Sequence, residues 1–285
     1  MNHNIQLLII DPQNDFCDLP ADWCPLDPLT GQPLAPALPV AGAHADMQRV
    51  ARFIDAASAR LDGITVTLDS HHRIDIAHPT FWQQRDGAAV GPFTQITAAQ
   101  VRAGDYRPRD AAALPRTLAY LDELEARGRY TLMVWPVHCE IGSWGHNVHA
   151  AVRAAYNRWE EATLTEVQKV VKGDNPWTEH YSAVQAEVPD LEDPDTQLNR
   201  ELIDRLDAAG LILVAGEASS HCVKATTEHV VAQLSGRLER VVLLTDCMSP
   251  VGGFQAQHEA FLADMRSRGV QLATSTDLLQ RLQSA

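Results

Sequence analysis

Three polar residues far apart in the chain share one setting: each stands past the end of a short apolar run. Asp11 closes Ile5–Ile10, which is apolar apart from Gln6; Lys172 closes Lys169–Val171; Cys222 follows Leu211–Ala215 across a short turn. An acid, an amine and a thiol brought together can run nucleophilic catalysis. A thiol at a helix N-terminus has its thiolate favoured by unpaired N–H groups and the helix dipole. A neighbouring carboxylate can take the thiol proton and later hand it to a leaving amine. A lysine between them keeps the carboxylate ionised. Taken singly, each has a plainer reading. An intracellular cysteine is usually a small buried apolar residue, a strand-end aspartate often only shapes a turn, and a lysine is usually solvated.

A second set is Asp69 and His71, one residue apart, with His138 and the nearby His78. One carboxylate and two imidazoles suit a catalytic transition metal that keeps positions open for water, whereas calcium and magnesium prefer oxygen-only shells.

The elements that must position these groups follow from the spacing of apolar residues. Ile5–Ile10, Ile64–Leu68, Tyr130–Trp135, Lys169–Val171, Leu211–Ala215, Val241–Leu244 and Val270–Ala273 read as strands. Helical spacing recurs at Met47, Val50, Ala51, Ile54 and Leu61, with Gly63 as its C-terminal cap. It recurs again at Leu114–Leu124, stopped by Gly128, and at Val148–Trp159, Leu198–Leu206 and His258–Met265, with a further helix starting near Cys222. Prolines at 20, 25, 28, 33, 36 and 39 make residues 20–42 a long loop, and residues 70–109 read as irregular and polar. Strands that are apolar throughout and alternate with helices predict a parallel sheet covered on both faces. In such sheets functional residues lie past the carboxyl ends of the strands, where Asp11, Asp69, the 135–138 segment, Lys172 and the 216–222 segment all fall.

The 285 residues hold 45% hydrophobic residues, enough for a large core, and show no repeat or linker that splits them. The formal charge of −14 argues against nucleic acid or an anionic membrane as partner. Five cysteines, an odd number without CxxC spacing, predict a reducing compartment. Cys17, Cys24, Cys139 and Cys247 face no predicted base. The N-terminal apolar run is too short for a signal peptide or membrane span, so the expected location is the cytoplasm.

Five motifs in order resemble the nicotinamidase group of the isochorismatase-like cysteine hydrolases. They are Asp11-Pro12-Gln13-Asn14-Asp15-Phe16, Asp69-Ser70-His71, Trp135-Pro136-Val137-His138-Cys139, Lys172-Gly173 followed by Tyr181-Ser182, and Gly216-Glu217-Ala218-Ser219-Ser220-His221-Cys222-Val223. The resemblance spans nearly the whole chain. It implies one domain over 1–285, a three-layer α/β/α fold with a mostly parallel six-stranded sheet, and extended loops at about 20–42 and 81–109. It implies Asp11, Lys172 and Cys222 as catalytic triad, and Asp69, His71 and His138 as metal ligands, with His78 where some members have a further one. Zinc is the first choice of metal, iron or manganese the alternatives. Phe16 and Trp135 match aromatics that sandwich a flat ring, and Tyr181 joins them in the substrate pocket. A cis peptide is expected at Glu217–Ala218, with the N–H groups of Ala218 and Cys222 as oxyanion hole.

The implied reaction cleaves a small planar amide, nicotinamide first, to acid and ammonia. A carbamoyl compound, another linear amide or an isochorismatase-type vinyl ether is the enzymatic alternative, and an inactive binding protein of the same fold the remote one. Relatives commonly assemble, so a homo-oligomer is implied. Two residues depart from the pattern: Ser220 stands where many members carry Asp, and Glu217 replaces a small apolar residue.

Overall fold

A computed structural model describes residues 4–284. Its strands are β1 (Ile5–Ile10), β2 (Gly63–Asp69), β3 (Trp82–Gln84), β4 (Thr94–Ile96), β5 (Tyr106–Pro108), β6 (Leu132–Val134), β7 (Gln168–Lys172), β8 (Leu211–Gly216), β9 (Val241–Leu244) and β10 (Gln271–Ala273). Its helices are α1 (Ala43–Ala57), α2 (Ala98–Arg102), α3 (Leu114–Arg127), α4 (Ala150–Thr163), α5 (Arg200–Asp207), α6 (Cys222–Gln233), α7 (Gln255–Ser267) and α8 (Ser275–Ser284).

Six strands form one sheet in the order β10-β9-β8-β1-β2-β7, and every neighbouring pair is parallel. The chain moves from β1 outward through β2 to β7, then returns to β8 and moves the opposite way to β10. Right-handed crossovers place helices on opposite faces when the direction of travel reverses. The contacts follow: α1 packs with α4 and α8, while α6 packs with α5 and α7. The expected three-layer α/β/α sheet is therefore present. β1 lies at its centre, buried along its whole length.

Three details differ from the sequence reading. The run at 130–135 does not join the sheet, because β6 pairs antiparallel with β4 outside it. The stretch 70–109 is not irregular throughout. It holds β3, β4, β5 and α2, and with α3 and β6 it encloses a second small core that includes Ile76, Trp82, Ile96, Leu121 and Val134. Gly63 is not a helix cap, since α1 stops at Ala57 and a 3-10 turn follows. It is the first residue of β2, where an added Cβ would collide with the Gln6 side-chain amide. Gly128 does cap α3 in the left-handed conformation. Residues 20–42 keep their irregular path apart from a 3-10 turn at Ala21–Trp23 and single bridges.

Candidate active site

Sheet register assembles the polar groups. Asp69, the last residue of β2, pairs directly with Lys172, the last residue of β7. Ile10 pairs with Gly216, so Asp11 and the turn after β8 leave the sheet side by side. That closeness requires glycine: a Cβ on Gly216, at φ 122°, would overlap the backbone of Ile10. Asp11 itself takes a left-handed φ of 44°. Its N–H donates to Thr67 Oγ1 at 3.0 Å, and the Thr67 hydroxyl donates back to its carboxylate.

Asp11, Lys172 and Cys222 converge. Lys172 Nζ lies 2.9 Å from Asp11 Oδ2, 2.8 Å from Asp69 Oδ1, 3.0 Å from the carbonyl of His180 and 3.7 Å from Cys222 Sγ. All four side chains are buried. Burial alone would discharge the lysine, but Asp11 and Asp69 outweigh it and raise its pKa well above the ordinary value. Burial raises Asp11, against the pull of Lys172. Burial also holds the Cys222 thiol far up. Lys172 opposes that, and the nearby charge of Asp11 adds to it. Burial in the resting site thus favours the neutral thiol over the thiolate that the helix terminus alone would favour.

Cys222 is the first residue of α6, and the Glu217–Ala218 peptide before it is cis, as expected. The N–H groups of His221 and Val223 both donate to the carbonyl of Ala218 at 3.1 Å. The N–H groups of Ala218 and Cys222 have no partner among the described residues, which leaves both free to receive an oxyanion.

The metal set meets on the other side of Asp69. Its Oδ2 lies 3.0 Å from His71 Nε2 and 3.2 Å from His138 Nε2. The buried histidines His71, His78 and His138 form a group whose ligand atoms all lie within 4.8 Å of one another and that could hold a metal ion, with Asp69 against two of them. Outer partners aim the rings: His71 Nδ1 faces Asp75 Oδ2 at 3.1 Å, and His138 Nδ1 faces the carbonyl of Pro136 at 2.8 Å. His78 joins the same histidine group, yet its Nε2 lies 3.2 Å from Nδ1 of His138, not beside Asp69. Burial, with the neighbouring imidazoles, lowers His78 to about 3.

A small cavity, about 20 Å³, opens in front of the sulfur, lined by Phe16, Trp135, His138, Tyr181, Ala218 and His221 among others. That is room for about one water, so a substrate ring must push its walls apart. Phe16 stands edge-on to His138 at 5.4 Å, and Trp135 Nε1 donates to Tyr181 Oη at 3.0 Å. A wider open hollow of about 930 Å³, between His72, Phe81, Arg109 and Trp177, lacks these convergent groups.

Sequence reasoning assigned no role to several residues here. The Gln13 side chain clasps the backbone of Asp69, donating to its carbonyl and accepting from its N–H, each at 2.7 Å. Asp15 accepts from Cys139 N–H at 2.6 Å and Ala37 N–H at 2.9 Å, tying the histidine turn to the segment over the cavity. Both lie in the first motif, which was the available signal. Glu179 lines the cavity with Oε2 unpartnered among the described residues, and burial raises it to about 8. Spacing gave no sign of it.

The two departures from the family pattern both hold one neighbouring segment. Glu217 Oε2 accepts from Ser249 N–H at 3.0 Å, and Ser220 Oγ accepts from Val251 N–H at 3.1 Å. Burial first, then the nearby charge of Asp46, raises Glu217 well above the ordinary range, and its Oε1 has no hydrogen-bond partner among the described residues.

No family model matches the sequence, and a search of curated proteins finds no match. Solved structures do match. An Acinetobacter baumanii nicotinamidase/pyrazinamidase aligns over 97% of this chain and 98% of its own, with a TM-score of 0.61 and 18% identity. A yeast nicotinamidase bound to the inhibitor nicotinaldehyde aligns over 95% and 99%, with a TM-score of 0.61 and 18% identity. A Pyrococcus horikoshii pyrazinamidase in complex with zinc aligns over 95% and 99%, with a TM-score of 0.51 and 17% identity. The class defined here is a parallel α/β/α fold with a polar cluster past its strand ends. Its fold is the one these nicotinamidases and pyrazinamidases share. No helix among the described residues is long and apolar enough to cross a membrane.

Proposed function

We propose that this chain is a single-domain, metal-containing cysteine amidohydrolase that cleaves a small planar amide, nicotinamide first, to the acid and ammonia. One observation carries the reading: Lys172 Nζ bridges Asp11 at 2.9 Å and the Cys222 sulfur at 3.7 Å in a buried site that opens into an aromatic-walled cavity.

Asp11 takes the proton of Cys222 as the sulfur attacks the amide carbon. Lys172 stays charged and stabilises the carboxylate until the transfer and the sulfur during it. The N–H groups of Ala218 and Cys222 receive the oxygen of the tetrahedral intermediate. Asp11 then protonates the departing ammonia, leaving a thioester on Cys222. Water attacks the thioester with Asp11 as base, and the acid leaves as the thiol is restored. Phe16, Trp135 and Tyr181 hold the ring and exclude bulk water. Asp69, His71 and His138, with His78 as an added candidate, would hold a divalent metal. A metal held there would supply Lewis-acid chemistry beside the pocket. Zinc suits these donors, as do iron and manganese.

Ammonia release from a panel of amides tests the function. Nicotinamide and pyrazinamide are expected to be cleaved and Cys222→Ala to be inactive while still binding metal. Equal turnover by Cys222→Ala would remove the thiol from the reaction. Elemental analysis of the purified protein tests the ligand set.

A further inference from the structure

The residue before the nucleophile has a feature the reaction above does not use. His221 lines the cavity, and its ring stands among those of Phe254, Trp135 and Tyr181 at 4.7, 5.0 and 5.3 Å. Its Nδ1 lies 2.9 Å from the hydroxyl of Ser220, a buried residue that also receives the N–H of Val251.

A hydroxyl has one proton and two lone pairs. Val251 fills one lone pair. Were Nδ1–H to fill the other, the Ser220 proton would be buried with no acceptor, the costly outcome for any polar group. The Ser220 hydroxyl and Nδ1 are both satisfied when Ser220 donates to Nδ1, which puts the single proton of the neutral ring on Nε2. Burial, helped by Lys224, lowers His221 to about 4, so the ring is neutral at pH 7. The contact of Nδ1 with Ser220 is the one hydrogen bond of the His221 ring among the described residues, and Nε2 is not among the fully buried unpartnered atoms. The Ser220 departure thus has a local purpose: its hydroxyl can donate to the imidazole, whereas an ionised aspartate there would only accept.

We propose that His221 Nε2–H is a hydrogen-bond donor in the substrate pocket, selecting planar amides that carry an acceptor oxygen on the ring besides the amide itself. The class is that of ring-hydroxylated or ring-oxo aromatic amides. The proposal rests on the amidohydrolase reading for its substrate, but the state of the ring can be measured without turnover.

The test has two arms. In long-range ¹H–¹⁵N spectra of the full chain, His221 should appear as the Nε2–H tautomer and not titrate above pH 5. A Nδ1–H tautomer would overturn the proposal. In the second arm, kcat/KM is compared for nicotinamide and its ring-hydroxylated isomers. At least one isomer should be preferred, and His221→Phe should lower that preference about 10-fold or more. A preference that His221→Phe leaves intact would also overturn it. Ser220→Ala, which removes only the donor to Nδ1, should erode the same ratio more weakly and serves if the Phe variant does not fold. If no amide is cleaved, the amidohydrolase reading fails separately. The comparison then passes to calorimetric binding of the matching ring carboxylates, with the same ratio deciding the outcome.

Discussion

On one side of Cys222 stand Asp11, Asp69 and Lys172, placed by strand register and joined by ion pairs of 2.8–2.9 Å. On the other stand Trp135, Tyr181, His221 and Phe254, carried by segments between strands and packed ring against ring. The first wall is built from charges that burial forbids unless each has its partner. The second is built from dispersion and a few hydrogen bonds, which degrade by degrees. On the proposed function, chemistry that must not vary would sit on the charged wall and recognition on the aromatic one.

Mutations can break that contrast, and the largest effects belong to the charged wall. Cys222→Ala should lower kcat by about 10⁴-fold or more in the ammonia assay, as expected when one member of a cooperating set is lost. Lys172→Met should both inactivate the protein and cost about 3–5 kcal/mol in urea unfolding, because Asp11 and Asp69 are left buried without their cation. A stability change below about 1 kcal/mol would mean that the two carboxylates do not depend on it. Asp75→Asn, which alters the partner of His71 Nδ1, should weaken metal affinity about 10- to 100-fold in a competition assay with a chelator.

Smaller effects sharpen the comparison. Glu217 is raised well above its ordinary value of 4.5. The folded state therefore keeps a proton that the unfolded state releases as pH rises past about 4.5. The stability this group contributes is full below that value and declines as pH climbs toward the folded pKa. Glu217→Gln removes the titration, so its Tm relative to the parent should improve from pH 5 to pH 8. A constant difference would show that Glu217 is already ionised. Trp135→Phe keeps a ring and loses the bond to Tyr181. It should raise KM by less than about 10-fold with little change in kcat, the graded response of the aromatic wall.

The same division explains what the sequence made legible. Apolar runs ending in Asp11, Asp69 and Lys172 announce strand ends, and a turn followed by helical spacing announces Cys222. No periodicity states that Asp69 and Lys172 pair in register, because strand order is a long-range property. The segment 70–109 misleads for a different reason: strands of three residues, such as Trp82–Gln84 and Thr94–Ile96, are too short to show a period. β6 has the apolar look of a sheet strand because Leu132 and Val134 are buried in the second core and Met133 in the main one, although it does not join the main sheet. Glu179 lies on a loop between β7 and β8, where only the folded path reveals that it meets the cavity.

The central claim is that the Cys222 sulfur becomes covalently acylated. Acid quenching of the protein during turnover of nicotinamide, followed by peptide mass spectrometry, tests it most directly. The peptide containing Cys222 should carry the pyridinecarbonyl group as a thioester that water or hydroxylamine removes. Steady turnover with that peptide unmodified, and an unchanged rate in Cys222→Ala, would contradict the account.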